Sequence, residues 1–222
     1  MEAPDVKEAT PLIQRLCTNL AGIISDKGQF GSDARTALGD LSANAEVLLS
    51  SDTIGVPLDN AFDLVRQSIV VLYGLENVRR SLIAEAPVTL GAMLARDASI
   101  YLCLAQQSLL IADMVFQSRQ DVQAVIQQIQ PWFDESEEVA ANTMDPMVYR
   151  SLVEMRGAVV NHLVVTERPL PEMLSYQFNE TLPTLIISQR LYGDASRYDQ
   201  IRNENKIVHP LFCPALGRAL SF

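Results

Sequence analysis

Histidine is the side chain best suited to moving protons near neutral pH, and this sequence has two, His162 and His209. They stand too far apart to form a metal motif, and no G-x-S-x-G elbow offers a serine nucleophile to either. His162 lies between Asn161 and Leu163 in a helical stretch and reads as a surface or partly packed imidazole. His209 precedes Pro210 in a loop, where bonding to nearby backbone is the simpler role. The three cysteines, Cys17, Cys103 and Cys213, are odd in number, widely spaced and without a C-x-x-C pair. Neither a zinc knuckle nor a disulfide framework follows, and buried reduced thiols made in a reducing cytoplasm are expected. Asp134-Glu135-Ser136-Glu137-Glu138 concentrates carboxylates but lacks the alternating ligands and the glycine of a calcium loop. It reads as a solvated helix end. Arg79-Arg80 is too short for a nucleic-acid patch and reads as a solvated helix face. Trp132 follows Pro131 and reads as core rather than as a sugar platform. With no G-x-G-x-x-G and no Walker sequence, the expectation is a protein without catalytic residues, metal or cofactor, and so not an enzyme.

The charge balance narrows the partners. Seventeen Lys and Arg face 27 Asp and Glu in 222 residues, a net charge of -10. A chain this acidic gains little from the field of a polyanion, so nucleic acid and anionic membrane are not expected partners. The acidic first residues, Met1 to Asp5, have no basic n-region and no early apolar core, so no secretory signal is visible. The longest charge-free apolar stretch lies between Asp97 and Asp113. It falls short of the ~20 apolar residues that a span requires, and no membrane span is expected.

Such residues need elements to hold them, and the hydrophobic spacing supplies mostly helices. Apolar residues recur at three and four from Pro11 to Ser25, and again from Ser32 to Ser50, where Gly39 weakens the middle enough to suggest two short helices. A turn at Asp52–Pro57 leads to a helix expected to run from Pro57, through Phe62, Ile69, Tyr73, Arg79 and Arg80, to Ala86. Pro87 opens a helix that is apolar on most faces (Met93, Leu94, Ile100, Tyr101, Leu109, Met114), as befits the centre of a bundle. Ser118-Arg119-Gln120-Asp121 reads as a capping turn, and Asp145-Pro146 opens a last long helix. The expected fold class is mainly α: an antiparallel helical bundle over 1–167, a Pro-rich linker over 168–172, and a small separate unit over 173–222. In that unit the charge reverses, with five basic against three acidic residues over 181–222.

The last fifty residues read as strand, helix, helix, strand. Leu174, Tyr176 and Phe178 alternate with polar residues. Thr181 and Pro183 suit a helix start with Leu185, Ile186 and Leu191 facing inward. Gly193 suits a left-handed helix end. Ser196 and Asp199 open the next helix, which turns Tyr198 and Ile201 inward and ends at Asn203–Asn205. Pro210, Leu211 and Phe212 pack the return loop, and Ala219–Phe222 closes with a strand.

That order resembles a LysM module. Asn179-Glu180-Thr181-Leu182 stands where LysM sequences place G-D-T-L. Ile201 to Ile207 stands for I-x-x-x-N-x-I, and Pro210 to Leu220 for the closing P-x-L-x-x-G-x-x-L. LysM domains bind N-acetylglucosamine polymers in a shallow groove. The resemblance maps that groove onto Asn179, Glu180, Thr181, Lys206, Ile207 and Val208, with Glu180 in a departure from the Gly-Asp context.

A more specific resemblance rests on Tyr192-Gly193-Asp194 with Arg197, then Arg202-Asn203, then His209-Pro210-Leu211-Phe212. This pattern is similar to the carboxy-terminal signature of the Mu-like phage DNA circularisation proteins, which are tail and baseplate components of contractile-tailed phages and prophages. It is specific over 181–222 and loose over the helical part, and the β-rich domain that usually opens that family has no counterpart here. The resemblance implies a virion structural protein of the tail or baseplate, present in the host cytoplasm during assembly. Its implied partners are copies of itself, as a homo-oligomer, and other tail proteins. Peptidoglycan binding and DNA circularisation stand as the alternatives.

Overall fold

The computed structural model describes every residue except Ile69, Met144 and Phe222. It is mainly helical, 71% helix with nine α-helices among the described residues, plus one two-stranded antiparallel sheet. Contacts divide it into two compact units, one of 1–114 with 131–159 and one of 115–130 with 160–222.

The first unit contains α1 (Ala3–Ile23), α2 (Gln29–Ser50), α3 (Gly55–Gln67), α4 (Leu72–Ile83) and α5 (Leu90–Ala112). It also takes the second half of α6 (Arg119–Asn142) and most of α7 (Pro146–Glu167). Leu12, Ile13, Leu16 and Leu20 of α1 share a core with Leu38, Leu41 and Leu49 of α2, Phe62 and Val65 of α3, Leu75 and Leu82 of α4, and Ile100 and Cys103 of α5. Trp132 and Phe133 are buried as well.

Helix α1 starts at Ala3 rather than at Pro11, which lies inside it. Pro4 in the first turn suits a start there, and the ring of Pro11 sits on the exposed face, where water can serve the carbonyl it leaves unpaired. The early start has a purpose in the packing. Asp5 and Glu8 reach the amino terminus of α5, where Glu8 accepts from the backbone N–H of Val88 (2.8 Å) and Thr89 (2.7 Å), and Asp5 from that of Gly91 (3.0 Å). Two carboxylates from another helix thus satisfy the donors that a helix start leaves open. Helix α2 runs unbroken across Gly39.

The single helix expected from Pro57 to Ala86 is two. Helix α3 stops at Gln67; Ser68 is extended (φ -92°, ψ 99°), and its hydroxyl donates to the carbonyl of Val65 at 2.7 Å. Val70 and Val71 lie before α4, and β-branched residues favour extended backbone over helix. The helical membership expected of Ile69 itself lies outside the described residues. Helix α5 is not buried all round: Leu94 is 57% and Leu109 46% exposed, which leaves an apolar strip facing out.

The Arg79-Arg80 pair splits in its environments. Arg80 is exposed as expected, but Arg79 is 1% exposed and held by Glu76, also 1% exposed, through Nε–Oε2 at 2.8 Å and Nη2–Oε1 at 3.0 Å. Arg80 Nε donates to the same carboxylate at 2.8 Å, Gln107 Nε2 at 3.3 Å, and Arg79 Nη2 also reaches Glu135 at 2.9 Å. Burial alone would raise the Glu76 pKa, but the bonds from Arg79 and Arg80 outweigh it and hold the carboxyl below its usual value. A helical period cannot distinguish this arginine from a solvated one; the difference is the acid three residues before it. Two carboxylates of the acidic run are likewise paired, with Arg156 of α7 bridging Asp134 (2.7 Å) and Glu137 (3.3 Å).

The second unit begins with Ser118 and Asp121 in a reciprocal cap of α6. The Ser118 N–H donates to the Asp121 carboxylate (3.0 Å), and the Asp121 N–H donates to the Ser118 hydroxyl (3.2 Å). After α7 ends at Glu167, the chain forms β1 (Met173–Gln177), α8 (Thr184–Tyr192), a 3-10 turn (Ala195–Arg197), α9 (Tyr198–Glu204) and β2 (Leu216–Leu220). β1 and β2 pair antiparallel, with Tyr176 opposite Gly217. The side-chain amide of Gln120 accepts from the N–H of Met173 (2.7 Å) and donates to its carbonyl (3.4 Å), closing part of the free edge of β1. Arg119 donates to the carbonyl of Leu170 at 2.8 Å. Tyr176, Leu182, Ile187, Ile201, Cys213 and Ala219 form the core.

Four local expectations change here. Helix α8 begins at Thr184 with Pro183, not Thr181, at its cap position. Ile187 rather than Leu185 or Ile186 turns inward, with Leu191 packed against the core as expected. The turn before α9 is capped by Asp194, whose carboxylate accepts from the N–H and hydroxyl of Ser196, rather than by Ser196 itself. The closing strand lies at 216–220, and the part expected of Phe222 falls outside the described residues.

Candidate functional site

Two loops of the second unit carry the residues singled out as a groove, the β1–α8 loop and the α9–β2 loop. They are joined by backbone bonds. Phe178 N–H donates to the Ala215 carbonyl, Thr184 N–H to Pro210 (2.8 Å) and Cys213 N–H to Leu182 (3.0 Å). Asn179, Glu180 and Thr181 lie exposed on the first loop, and Lys206 and Val208 exposed on the second. Ile207 packs against the core. Lys206 takes a left-handed conformation (φ 50°), unusual for a lysine.

The signature residues hold this unit together. Tyr192 ends α8 with its ring under the Arg197 guanidinium, 3.8 Å from the centroid. Gly193 follows at φ 68°, where a side chain is disfavoured. The Asp194 carbonyl accepts from the Ser188 hydroxyl at 2.6 Å, so both ends of that residue pin the turn. Its two bonds from Ser196 also keep the Asp194 carboxyl below its usual range. Arg197 donates to Gln200 at 2.9 Å. Asn203 is exposed, and its carbonyl accepts from the Lys206 N–H at 3.1 Å. His209 is exposed, with its ring 5.4 Å from that of Phe212 and its Nδ1 accepting from the Leu211 N–H at 3.4 Å. Pro210 supplies the carbonyl that receives the first N–H of α8.

The sequence places Asn205 at a helix end and in the I-x-x-x-N-x-I segment, without assigning it a structural task. Its amide donates to the carbonyls of Ile201 and Arg218, both at 2.8 Å, and accepts from the Arg218 N–H at 2.7 Å, tying the end of α9 to β2. The signal was present in the I-x-x-x-N-x-I spacing, where Asn205 and not Asn203 occupies the asparagine position.

The three thiols are buried. Burial raises the Cys213 and Tyr176 pKa values, the two side chains sharing a 3.0 Å hydrogen bond. Cys17 is pushed up to about 11 by burial, and Cys103 further. A protonated buried thiol is a poor nucleophile and metal ligand. Among the described residues no group of His, Cys, Asp and Glu is arranged to hold a metal ion, and no helix is long and apolar enough to cross a membrane.

What this unit does offer is apolar surface. Val208 is 92%, Phe212 70%, Leu216 66% and Leu185 53% exposed. No protein-family model matches this chain, and none of the curated proteins matches it.

Proposed function

We propose that the chain is a structural component of a contractile phage or prophage tail or baseplate that works through assembly contacts, with its carboxy-terminal βααβ unit, similar to a LysM module, as an adaptor. The supporting observation is the signature from Tyr192 to Phe212. Tyr192, Gly193, Asp194 and Pro210 make the turns and junctions of the unit, while Phe212, Leu211 and Val208 beside them face outward. Such exposed apolar side chains are available to pack against a partner. Copies of the chain associate with one another and with neighbouring tail proteins in this reading.

Immunogold labelling of purified particles carrying a tagged chain tests it. Label on the tail or baseplate is the expected result, and particles free of the protein would overturn the reading. The glycan alternative draws on the exposed Asn179, Glu180, Thr181 and Lys206. Titration calorimetry with chitin oligomers or peptidoglycan fragments separates the two. The assembly reading expects a flat trace, whereas saturable heat lost on Lys206→Ala would move the function to cell-wall binding. A mobility-shift assay at low salt is expected to show no retarded DNA.

A further inference from the structure

The first unit has an open trough of about 550 Å³ framed by α3, α5 and α7. Its walls are apolar: Leu58 from α3, Ala98 and Tyr101 from α5, and Met147, Leu152 and Met155 from α7. A second recess of about 220 Å³ continues it past Leu94, sharing Ala98, Tyr101 and Val148. Leu94 and Met147 at the mouth are 57% and 79% exposed. From Leu94 to Ala105 the α5 wall extends ~16 Å at the helical rise, about three turns. That is the length over which an amphipathic helix presents anchors at i, i+3 or i+4, and i+7. Ala98 and Ala105, seven residues apart on one face, leave room for another helix to approach closely.

The charge on the walls has one sign. Asp59, Asp97 and Asp145 line the two recesses, and among the described residues no Lys or Arg does. Asp97 is ion-paired with Arg96 at 2.7 Å, and Asp145 accepts from the N–H groups of Met147 and Val148 at 3.1 Å, which leaves Asp59 exposed at the rim without a basic neighbour in the lining. Tyr101 stands between them, its pKa pushed up to about 12 by burial and by Asp97 and Asp145, so its hydroxyl keeps its proton. The acidic excess of the chain lies upstream of residue 181, so the long helices of a second copy bring the wrong sign to such a place.

We infer that the trough between α3, α5 and α7 is a docking site for an amphipathic helix of a different protein, with an apolar stripe flanked by Lys or Arg. This goes beyond the assembly reading, which concerns the second unit, and it stands whether or not the particle is a phage tail.

The test uses the full chain and three labelled, helix-stabilised peptides of about 16 residues, long enough to hold helical structure. One has Leu at the anchor spacing with Lys on the flanks, one has the same anchors with Glu, and one is a scramble of the first. Fluorescence anisotropy at low salt is expected to show saturable binding of the Lys peptide, at least tenfold weaker binding of the Glu peptide, and none of the scramble. Ala98→Trp should abolish binding with the far-UV circular dichroism unchanged. Should that variant misfold, Asp59→Asn with Asp145→Asn is expected to reduce the Lys-over-Glu preference at least fivefold. The proposal is overturned by no binding of the Lys peptide, by equal binding of Lys and Glu peptides, or by a preference that survives the aspartate changes. It is also overturned by a dimer in sedimentation that Ala98→Trp dissociates, which would make the occupant a second copy. Stoichiometric uptake of dodecylammonium without peptide binding would make the occupant a small amphiphile and overturn it likewise.

Discussion

Glu76→Met removes the acid that compensates a guanidinium 1% exposed, leaving Arg79 with Glu135 at 2.9 Å as its remaining carboxylate. Breaking one side of a buried ion pair costs about 3–5 kcal/mol. At roughly 2–4 °C per kcal/mol for a chain of this size, the melting temperature should fall by ~6–20 °C. Arg79→Met should cost less, because Arg80 Nε still bonds Glu76 at 2.8 Å from a side chain that is 67% exposed. The double variant Glu76→Met/Arg79→Met should be more stable than Glu76→Met alone. Neither charge is then stranded, and Arg80 and Glu135 can both turn to water. Trp132 is the single tryptophan and is buried in the same unit, so its fluorescence in a urea titration reports this region directly. Additive losses in the double variant, or a Glu76→Met cost below about 1 kcal/mol, the range of an exposed pair, would refute the reasoning.

Three shorter predictions accompany it. Because the Glu76 carboxyl is held below its ordinary value of 4.5, its contribution is fully present above that pH and is lost as pH falls through the folded-state value. The urea midpoint read at Trp132 should therefore drop below about pH 4.5, and drop less steeply in Glu76→Met. Asn205→Ala removes three hydrogen bonds, two of them to Arg218 of β2 and one to Ile201 of α9, and should cost about 1–3 kcal/mol, seen as faster amide exchange in β1 and β2 with the first unit unaffected. Gly193→Val places a β-branched residue at φ 68° and should cost about 1–2 kcal/mol by the same exchange measurement; unchanged protection would count against the left-handed cap.

The helices were legible wherever a stripe of apolar residues continued for several turns, and the order strand, helix, helix, strand could be read from alternation and from Gly193. What escaped was decided by partners distant in sequence. Asp5 and Glu8 start α1 early because the amino terminus of α5 needs acceptors, which no window around Pro11 shows. Arg79 is buried because Glu76 and Glu135 are there to receive it. The α3–α4 break depended on weighing Ser68 and the β-branched residues after it above an uninterrupted apolar period. The two loops that carry the candidate groove residues were legible as breaks between elements, while Ile207 packs against the core. The stitching by Asn205 was hidden behind its ordinary appearance as a helix-ending residue.

The interleaving of the two units has a practical consequence for anyone dissecting the chain. Residues 115–130 belong with 160–222, yet 131–159 lie between them and belong with 1–114. No single cut releases either unit whole. A fragment opening at Arg168 would carry both strands but would lack Arg119 and Gln120, whose side chains bond Leu170 and Met173. Grafting this module onto a foreign scaffold therefore calls for the upstream helix to be supplied as well, by circular permutation or as a separate peptide.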